Sequence, residues 1–480
     1  MLVLKTKDIA GILYKKITVE PTVGQREFVE NFSVFLADSS RFKIFLLKGY
    51  AGTGKTTMMS AIVNAAPLLS LKTVLLAPTG RAAKVISGYA GKPALTIHKK
   101  IYQRRSKGGY FVFELLPNLH TGTLFIIDEA SMISDEGDSK SAFFDQRSLL
   151  EDVLRYVYRG QNCNVIFVGD NAQLPPVGSE YSPALDVKFI EENYRLKVYS
   201  NELKEVVRQK EESGILYNAT LLRIQLMQGK DTFPKFDLAF PDLKKINGTE
   251  LQDELESAFG NSGNNGVIII TRSNKRANLF NREVRTRVFW IENELNAGDR
   301  LMVVKNNYFW LDESSNAGFI ANGDLLEVNK VKKIYERYGF RFADVSVKMP
   351  DYPDDPEMEV KLLIDTLNTE SANLPSEETK KLFNALELEL VNEPGSDNFD
   401  KKEIREKVFK DPHYNALQVK FAWSVTCHKA QGGQWPIVFI DQGYITEEML
   451  NAEYLRWLYT AITRATEKVY FVNFDEKFFK

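Results

Sequence analysis

Cysteine is nearly absent from this chain: 480 residues contain two, Cys163 and Cys427, far apart in sequence. That excludes a disulfide framework and fits a reducing, cytoplasmic setting. No apolar run approaches the roughly 18 residues that a membrane span needs, so no membrane partner is expected. The N-terminal stretch MLVLKTKDIAGILYKK is too interrupted by charge to serve as a secretory signal. A charge surplus is missing as well. The formal net charge is −2, which taken alone argues against a nucleic-acid partner, since such proteins usually carry a basic excess. There is no internal repeat, and 44% hydrophobic with 26% charged residues excludes long disorder and collagen-like structure. What remains is a globular chain of roughly two to four domains, each able to bury a core.

The charge is unevenly spread. Residues 351–400 hold 14 acidic residues against three basic ones, Lys361, Lys380 and Lys381. Removing them from the totals of 62 basic and 64 acidic residues leaves 59 and 50, a surplus of +9 over the other 430. An acidic block therefore masks a mildly basic chain. The block reads either as a solvated surface insertion or as a face that turns away from a polyanion.

The first 180 residues alternate short apolar runs with longer amphipathic ones, the pattern of a parallel sheet flanked by helices. Candidate strands are Ile44–Lys48, Thr73–Ala77, Leu124–Asp128 and Val165–Val168, each short and apolar as strands buried on both faces are. A second set, Val267–Thr271, Gln418–Val425, Ile437–Ile440 and Lys468–Val472, predicts a second sheet of the same kind. Between its members, Arg300–Val304, Leu325–Val328 and Asp344–Lys348 predict a small β module, and Glu377–Leu390 a helix. The fold class expected is α/β.

The sharpest local signal is Gly49-Tyr-Ala-Gly52-Thr53-Gly54-Lys55-Thr56, which fits G-x-x-x-x-G-K-[ST] between the strand at 44–48 and a helical run from Thr57 to Ala66. Its glycines let backbone N–H groups close around phosphate oxygens, and the helix N-terminus adds a favourable dipole. ATP is the cofactor expected there, with Gly49, Gly52, Thr53, Gly54, Lys55, Thr56 and Thr57 around it. Lys55 bridges the β- and γ-phosphates in such a site, and Thr56 holds Mg2+. Downstream, Asp128-Glu129 ends another apolar strand at the mouth of the sheet, where open α/β folds bind ligands. Asp128 is expected to order Mg2+ and Glu129 to take a proton from the attacking water.

Further segments stand in order around these motifs and together resemble superfamily 1 helicases, most closely the RecD/Dda-like 5′→3′ branch and less closely the Pif-type enzymes. The resemblance runs from about Gln25 to Arg464. Pro21-Thr-Val-Gly-Gln25 is similar to the Q motif, which implies that Gln25 reads the adenine edge. Pro78-Thr79-Gly80-Arg81 and Thr96-Ile-His98-Lys99 resemble nucleic-acid-gripping motifs, implicating Pro78, Thr79, Thr96 and His98. Gly169-Asp170-Asn-Ala-Gln173-Leu-Pro-Pro resembles motif III, in which Gln173 senses the γ-phosphate. Leu203-Lys-Glu-Val-Val-Arg208-Gln resembles motif IV, and Leu458-Tyr-Thr-Ala-Ile-Thr-Arg464-Ala motif VI. The resemblance implies that Arg208 and Arg464 reach from the second motor domain into the nucleotide cleft. Trp423-Ser-Val-Thr426-Cys-His428-Lys-Ala-Gln431-Gly432 resembles motif V, with Thr426 and His428 on nucleic acid and Gln431-Gly432 toward nucleotide. Gln434 stands where many relatives carry an acid, which puts that acid's contact in doubt. The basic and aromatic run Tyr102–Phe113 around Gly108-Gly109 suits a strand-separating hairpin with Phe111 and Phe113 at the fork, and Asn307 opens a segment resembling the inserted β-barrel of RecD relatives.

The expected organisation is a RecA-like motor domain over 1–190 with a hairpin insertion at about 100–122. A second RecA-like domain spans 191–294 and 415–480, and is split by a β-rich, SH3-like module over 295–414 that carries the acidic elaboration 351–400. The function implied is an ATP-dependent DNA helicase moving 5′→3′ on single-stranded DNA and acting at single-strand/duplex junctions as a monomer. Three alternatives stay open: an RNA helicase or ribonucleoprotein remodeller, a translocase subunit of a recombination complex, and an ATP-gated clamp without productive turnover. The motifs grip phosphates and do not tell sugars apart.

Overall fold

The computed structural model describes residues 5–107, 110–137, 147–207, 213–230, 232–311, 315, 317–392 and 400–480, with the backbone alone at 104–107 and 110–112. Six parallel strands form a first sheet in the spatial order Ala94–Thr96, Lys72–Ala77, Thr123–Ile127, Asn164–Gly169, Lys43–Gly49, Lys197–Leu203. The four inner strands are the four apolar runs, lengthened by a residue or so. Alternate side chains explain why both faces must be apolar. Phe45 and Leu47 join Phe28 and Phe32 on one side, while Ile44 and Leu46 join Ile97 and Leu154 on the other.

Both outer strands escaped the sequence pattern. Ala94–Thr96 is three residues long, and Lys197–Leu203 carries Lys, Ser, Asn and Glu on a half-exposed edge. The latter pairs with Lys43–Gly49 over its whole length, so the first unit extends past the expected boundary at 190 to Leu203.

The second sheet is also parallel, in the order Ser424–Thr426, Val267–Thr271, Trp435–Asp441, Ala465–Val472, Leu243–Ile246. The expected strand Gln418–Val425 is two strands. Leu417–Phe421 pairs antiparallel with Arg300–Val303 in a closed barrel, and Ser424–Thr426 belongs to the sheet. Buried Asn281 makes the break affordable: its amide accepts from the Trp423 and Ser424 N–H groups and donates to the Phe421 and Ser424 carbonyls. Four backbone groups that leave both ladders are thereby satisfied. The β module therefore ends at Phe421, beyond the expected 414.

Arg300–Val303, Leu325–Arg337, Phe340–Lys348, Met358–Leu363 and Leu417–Phe421 close the barrel. Met358–Leu363 lies inside the acidic block, so the solvated-insertion reading is corrected there. Met358, Val360 and Leu362 fill the barrel core, and Glu359 faces solvent on the alternate position. Helix Ser376–Asn392 then packs Leu382 and Leu386 with Val408 of helix Lys401–Phe409 against barrel residues Phe340 and Phe342. The acidic side chains coat a structural element.

Tyr102–Lys107 and Tyr110–Leu115 form the expected antiparallel hairpin. The two sheets share one apolar cluster in which Tyr50, Ala172 and Leu174 of the first unit meet Trp457, Leu458 and Tyr459 of the second. That cluster brings the strand ends of both units to one cleft.

Candidate functional site

Strand Lys43–Gly49 ends at the mouth of the first sheet, and helix Lys55–Ala65 starts straight after it with Gly54 as N-cap at φ 87°. A side chain is strained at such an angle, and Gly52 adopts a similar one, φ 76°. The loop also closes tightly, since a Cβ on Gly49 would stand 2.9 Å from Thr53 Oγ1. Lys55 Nζ lies across this cradle, donating to the Gly49 and Tyr50 carbonyls at 2.6 and 2.9 Å. Thr56 and Thr57 follow in the first helical turn, at the positive end of the helix dipole.

Facing the loop, Asp128 Oδ1 accepts the Glu129 N–H at 2.9 Å and Oδ2 the Tyr89 hydroxyl at 2.7 Å. Burial pushes the Asp128 carboxyl up, against the pull of its hydrogen bonds and Lys55. Glu129 holds a left-handed backbone, φ 51°, uncommon for a residue with a side chain. Burial raises its carboxyl and the Arg464 charge lowers it again. Thr56 and Asp128 offer oxygen ligands beside the phosphate cradle, a donor set that suits a hard divalent cation.

The second unit enters this site along one helix. On Ala452–Ile462, residues 456, 459 and 460 share the face turned to the first unit, as helical spacing dictates. Arg456 Nη1 donates to the Asn171 carbonyl and, at 3.4 Å, to that of Gln173. Thr460 Oγ1 accepts the Leu174 N–H at 2.9 Å. The Tyr459 hydroxyl donates to Asp170 Oδ2 at 2.7 Å and accepts the Ala51 N–H of the phosphate loop at 2.8 Å. Just past the helix, Arg464 is 4% exposed and its Nη1 stands 3.9 Å from Glu129 Oε1. Bonds to the Thr460 and Gly433 carbonyls hold the guanidinium in place. Gln173 is buried with its Oε1 unpartnered, a poised acceptor at the junction. Arg464, Glu129, Gln173, Lys55 and Asp128 are thus brought together as expected, and Arg208 lies outside the described residues. Arg456 and Tyr459 were missed, although their spacing from Thr460 in an amphipathic helix was the available signal.

Two expected nucleotide contacts have partners within the fold. Gln25 is 1% exposed, with Oε1 accepting the Thr22 N–H at 3.1 Å and Nε2 donating to the Thr53 carbonyl at 3.1 Å. These two bonds fasten Gln25 to the phosphate loop and leave one N–H and one oxygen lone pair of its amide for a base edge. Gln431 and Gly432 sit at the junction of the two units. Gln431 Nε2 donates to the Leu174 carbonyl at 2.7 Å, and Gly432 abuts Thr79 and Ala82, where a Cβ would come within 2.9 Å of the Ala82 Cβ. They stand next to Gly433, whose carbonyl accepts from Arg464 Nη1 at 3.2 Å.

The junction also holds a cleft of about 720 Å3, lined among others by Thr79, Arg81, Arg272, Lys275, Thr426 and His428. Pro78, half-buried, precedes Thr79 at this rim. A pocket of about 310 Å3 adjoins it, sharing Arg272, Thr426 and His428. Burial lowers the His428 imidazole, so at neutral pH it offers a neutral ring. Arg81 stacks on Trp435, 3.9 Å from the ring centre, and donates to the Gln434 carbonyl at 3.3 Å, while the Gln434 side chain faces solvent.

Three further residues expected on nucleic acid have partners within the fold. Thr96 accepts the Lys99 N–H with its hydroxyl, capping helix Ile97–Ile101. His98 packs beside Tyr102 and Phe319, and burial lowers its imidazole to about 4. Asn307 is 9% exposed; its amide donates to the Asn415 carbonyl and accepts the Phe309 and Trp310 N–H groups. The buried amide shapes the barrel opening through these bonds. Of the two hairpin aromatics, the Phe111 side chain is outside the described residues. Phe113 lies with its ring centre 4.1 Å from that of Tyr308, which bridges hairpin and barrel module.

A phosphate loop in one parallel α/β unit, completed by a buried arginine from a second, defines a two-domain P-loop NTPase motor. The comparisons agree with the site. Residues 22–226 match the family model described as AAA domain, and 421–472 that described as UvrD-like helicase C-terminal domain. The chain is 26% identical to the ATP-dependent DNA helicase dda of Enterobacteria phage T4, across 89% of this chain and 93% of that one. It is 31% identical to the ATP-dependent RecD2 DNA helicase of Deinococcus radiodurans over 157 residues, which is 33% of this chain and 19% of the relative. Among solved structures it is similar to a Pif1 helicase from Bacteroides in complex with ADP-AlF3 and ssDNA, at 15% identity and TM-score 0.46, covering 94% of each chain. The chain is thus similar to DNA helicases of the RecD and Dda kind.

Proposed function

We propose that this protein is an ATP-driven DNA helicase that steps 5′→3′ along single-stranded DNA and opens duplexes at single-strand/duplex junctions. The observation that carries this reading is Arg464 of the second unit standing 3.9 Å from Glu129 of the first. A binding clamp has no need of a hydrolytic base with a cation delivered to it from another domain. Preference for DNA is supported by the two DNA helicases named above, and the direction follows from the motifs' resemblance to the RecD/Dda-like branch. Arg464 stabilises charge developing on the transferring phosphoryl oxygens, Glu129 accepts the proton of the attacking water, and Lys55 orients the β- and γ-phosphates. Gln173 responds to the γ-phosphate beside the Arg456 and Thr460 contacts, so that its loss loosens the junction. Thr56 and Asp128 would hold Mg2+, which when bound neutralises charge on the phosphate oxygens.

The division of labour we propose has a first motor unit ending near Leu203, a second built from the Leu243–Ile246 to Thr271 region and Ser424–Val472, and the barrel module between them. Thr79, Thr426 and His428 line the path of the strand, and Phe113 backs the splitting hairpin. Monomeric action in a reducing cytoplasm is in keeping with two buried free thiols; among the described residues no helix is long and apolar enough to cross a membrane. The test is unwinding of duplexes bearing 5′ or 3′ single-stranded tails, in DNA and RNA versions, with Lys55→Ala as control. ATP-dependent opening of 5′-tailed DNA is expected. Opening confined to 3′ tails, to RNA tails, or retained in Lys55→Ala would overturn the reading.

A further inference from the structure

Helix Gly80–Ala90 runs from the nucleic-acid cleft to the metal end of the nucleotide site. Its 11 residues span roughly 16 Å. At the cleft end Thr79 caps the helix, and Arg81 is clasped by Trp435 and the Gln434 carbonyl of the second unit. At the other end Tyr89 donates its hydroxyl to Asp128 Oδ2 at 2.7 Å. The Tyr89 carbonyl accepts from Ser60 Oγ at 3.2 Å, tying this end to the helix that follows the phosphate loop. One tyrosine hydroxyl thus occupies a carboxylate oxygen that suits a divalent cation. No sequence motif singled it out.

We propose that Tyr89 is a positioning residue that couples strand occupancy of the cleft to magnesium binding at the nucleotide site. With the cleft empty, its hydroxyl holds Asp128 Oδ2 and competes for an oxygen that the ion needs. A strand phosphate gripped at Thr79 and Arg81 shifts the helix along its axis, withdraws the hydroxyl and frees Asp128 Oδ2. A rigid helix transmits such a shift because its hydrogen-bonded turns resist compression, and a hydrogen bond is lost within an ångström. The inference rests on the proposed function, since it takes the cleft as the strand's path.

The test is binding of a fluorescent ADP analogue titrated with Mg2+, with and without an oligothymidylate, on wild type, Tyr89→Phe and Ser60→Ala. In wild type the oligonucleotide should lower the Mg2+ concentration for half-saturation roughly tenfold, the scale of one hydrogen bond to a charged group. Tyr89→Phe should show the lowered value without DNA, and DNA should shift it no further. Ser60→Ala, which leaves the hydroxyl in place, should keep the wild-type response. A Tyr89→Phe protein with the wild-type Mg2+ dependence and DNA shift would overturn the proposal, as would a wild type that DNA does not shift. Failure of the wild type to bind the analogue at all, or the oligonucleotide at all, would instead overturn the functional reading beneath it.

Discussion

The Tyr459 hydroxyl donates to Asp170 Oδ2 at 2.7 Å while accepting the Ala51 N–H of the phosphate loop at 2.8 Å. One side chain of the second unit therefore touches both the phosphate loop and the motif that ends in Gln173. Burial and the Asp170 carboxylate raise the phenol far above its ordinary value, so it stays a donor at any working pH. Tyr459→Phe keeps the ring in the shared apolar cluster and removes both bonds. We expect single-strand-stimulated ATP turnover to fall about tenfold, with the nucleotide KM changed less than about threefold, the size expected of bonds to a charged group. An unchanged kcat in steady-state assays would remove Tyr459 from the coupling between the units.

The hairpin's contact with the barrel module predicts a separation of activities. Phe113 and Tyr308 meet with ring centres 4.1 Å apart, and such pairs couple by roughly 0.5–1.5 kcal/mol beyond their area. Phe113→Ala should impair duplex opening more than single-strand translocation, and combining it with Tyr308→Ala should add little. Equal losses in translocation and unwinding would leave the hairpin without a splitting role.

The acidic segment should behave as a core element. Met358–Leu363 is a barrel wall, and Leu386 is 2% exposed in the helix that packs on it. Deleting 351–400 should abolish cooperative folding of the barrel. Leu386→Ala should cost about 2 kcal/mol in urea unfolding, at the low end for a buried leucine because the cluster is small. A deletion that leaves the unfolding transition intact would restore the view of a solvated elaboration.

His98 gives the stability a pH signature. Burial lowers its imidazole from 6.5 to about 4, with Asp152 pulling the other way. Between those values the unfolded chain takes up a proton that the folded chain refuses, so stability falls as pH drops through that window. Relative to His98→Asn, wild type should lose on the order of 1–2 kcal/mol between pH 7 and 4.5. Parallel pH profiles for the two proteins would contradict the placement of the ring.

Much of this was legible in the sequence because it depends on local pattern. The inner strands are continuous apolar runs, and the phosphate loop is a contiguous motif whose glycines answer to backbone angles at Gly52 and Gly54. What escaped depends on pairing across long separations. Lys197–Leu203 is a strand only because Lys43–Gly49 lies beside it. Leu417–Thr426 divides between barrel and sheet only because Asn281, about 140 residues earlier, satisfies the break. Motif membership gave residue types, and the structure adds partners within the fold for Gln25, Thr96 and Asn307. A matching residue type shows what a side chain is able to bond. Tyr89 and Tyr459 carry no motif label, and their partners come from distant segments.

The central claim is that the second unit completes the hydrolytic site through Arg464. It is tested most directly by single-turnover ATP hydrolysis with saturating single-stranded DNA, comparing wild type with Arg464→Ala and Arg464→Lys. Removal of a finger arginine typically costs on the order of 10^3-fold or more in rate. The account predicts a loss of that size in Arg464→Ala, little recovery in Arg464→Lys because an ammonium lacks the planar fork, and nucleotide affinity held within about threefold. Hydrolysis within a few-fold of wild type in either variant, at unchanged DNA affinity, would contradict it.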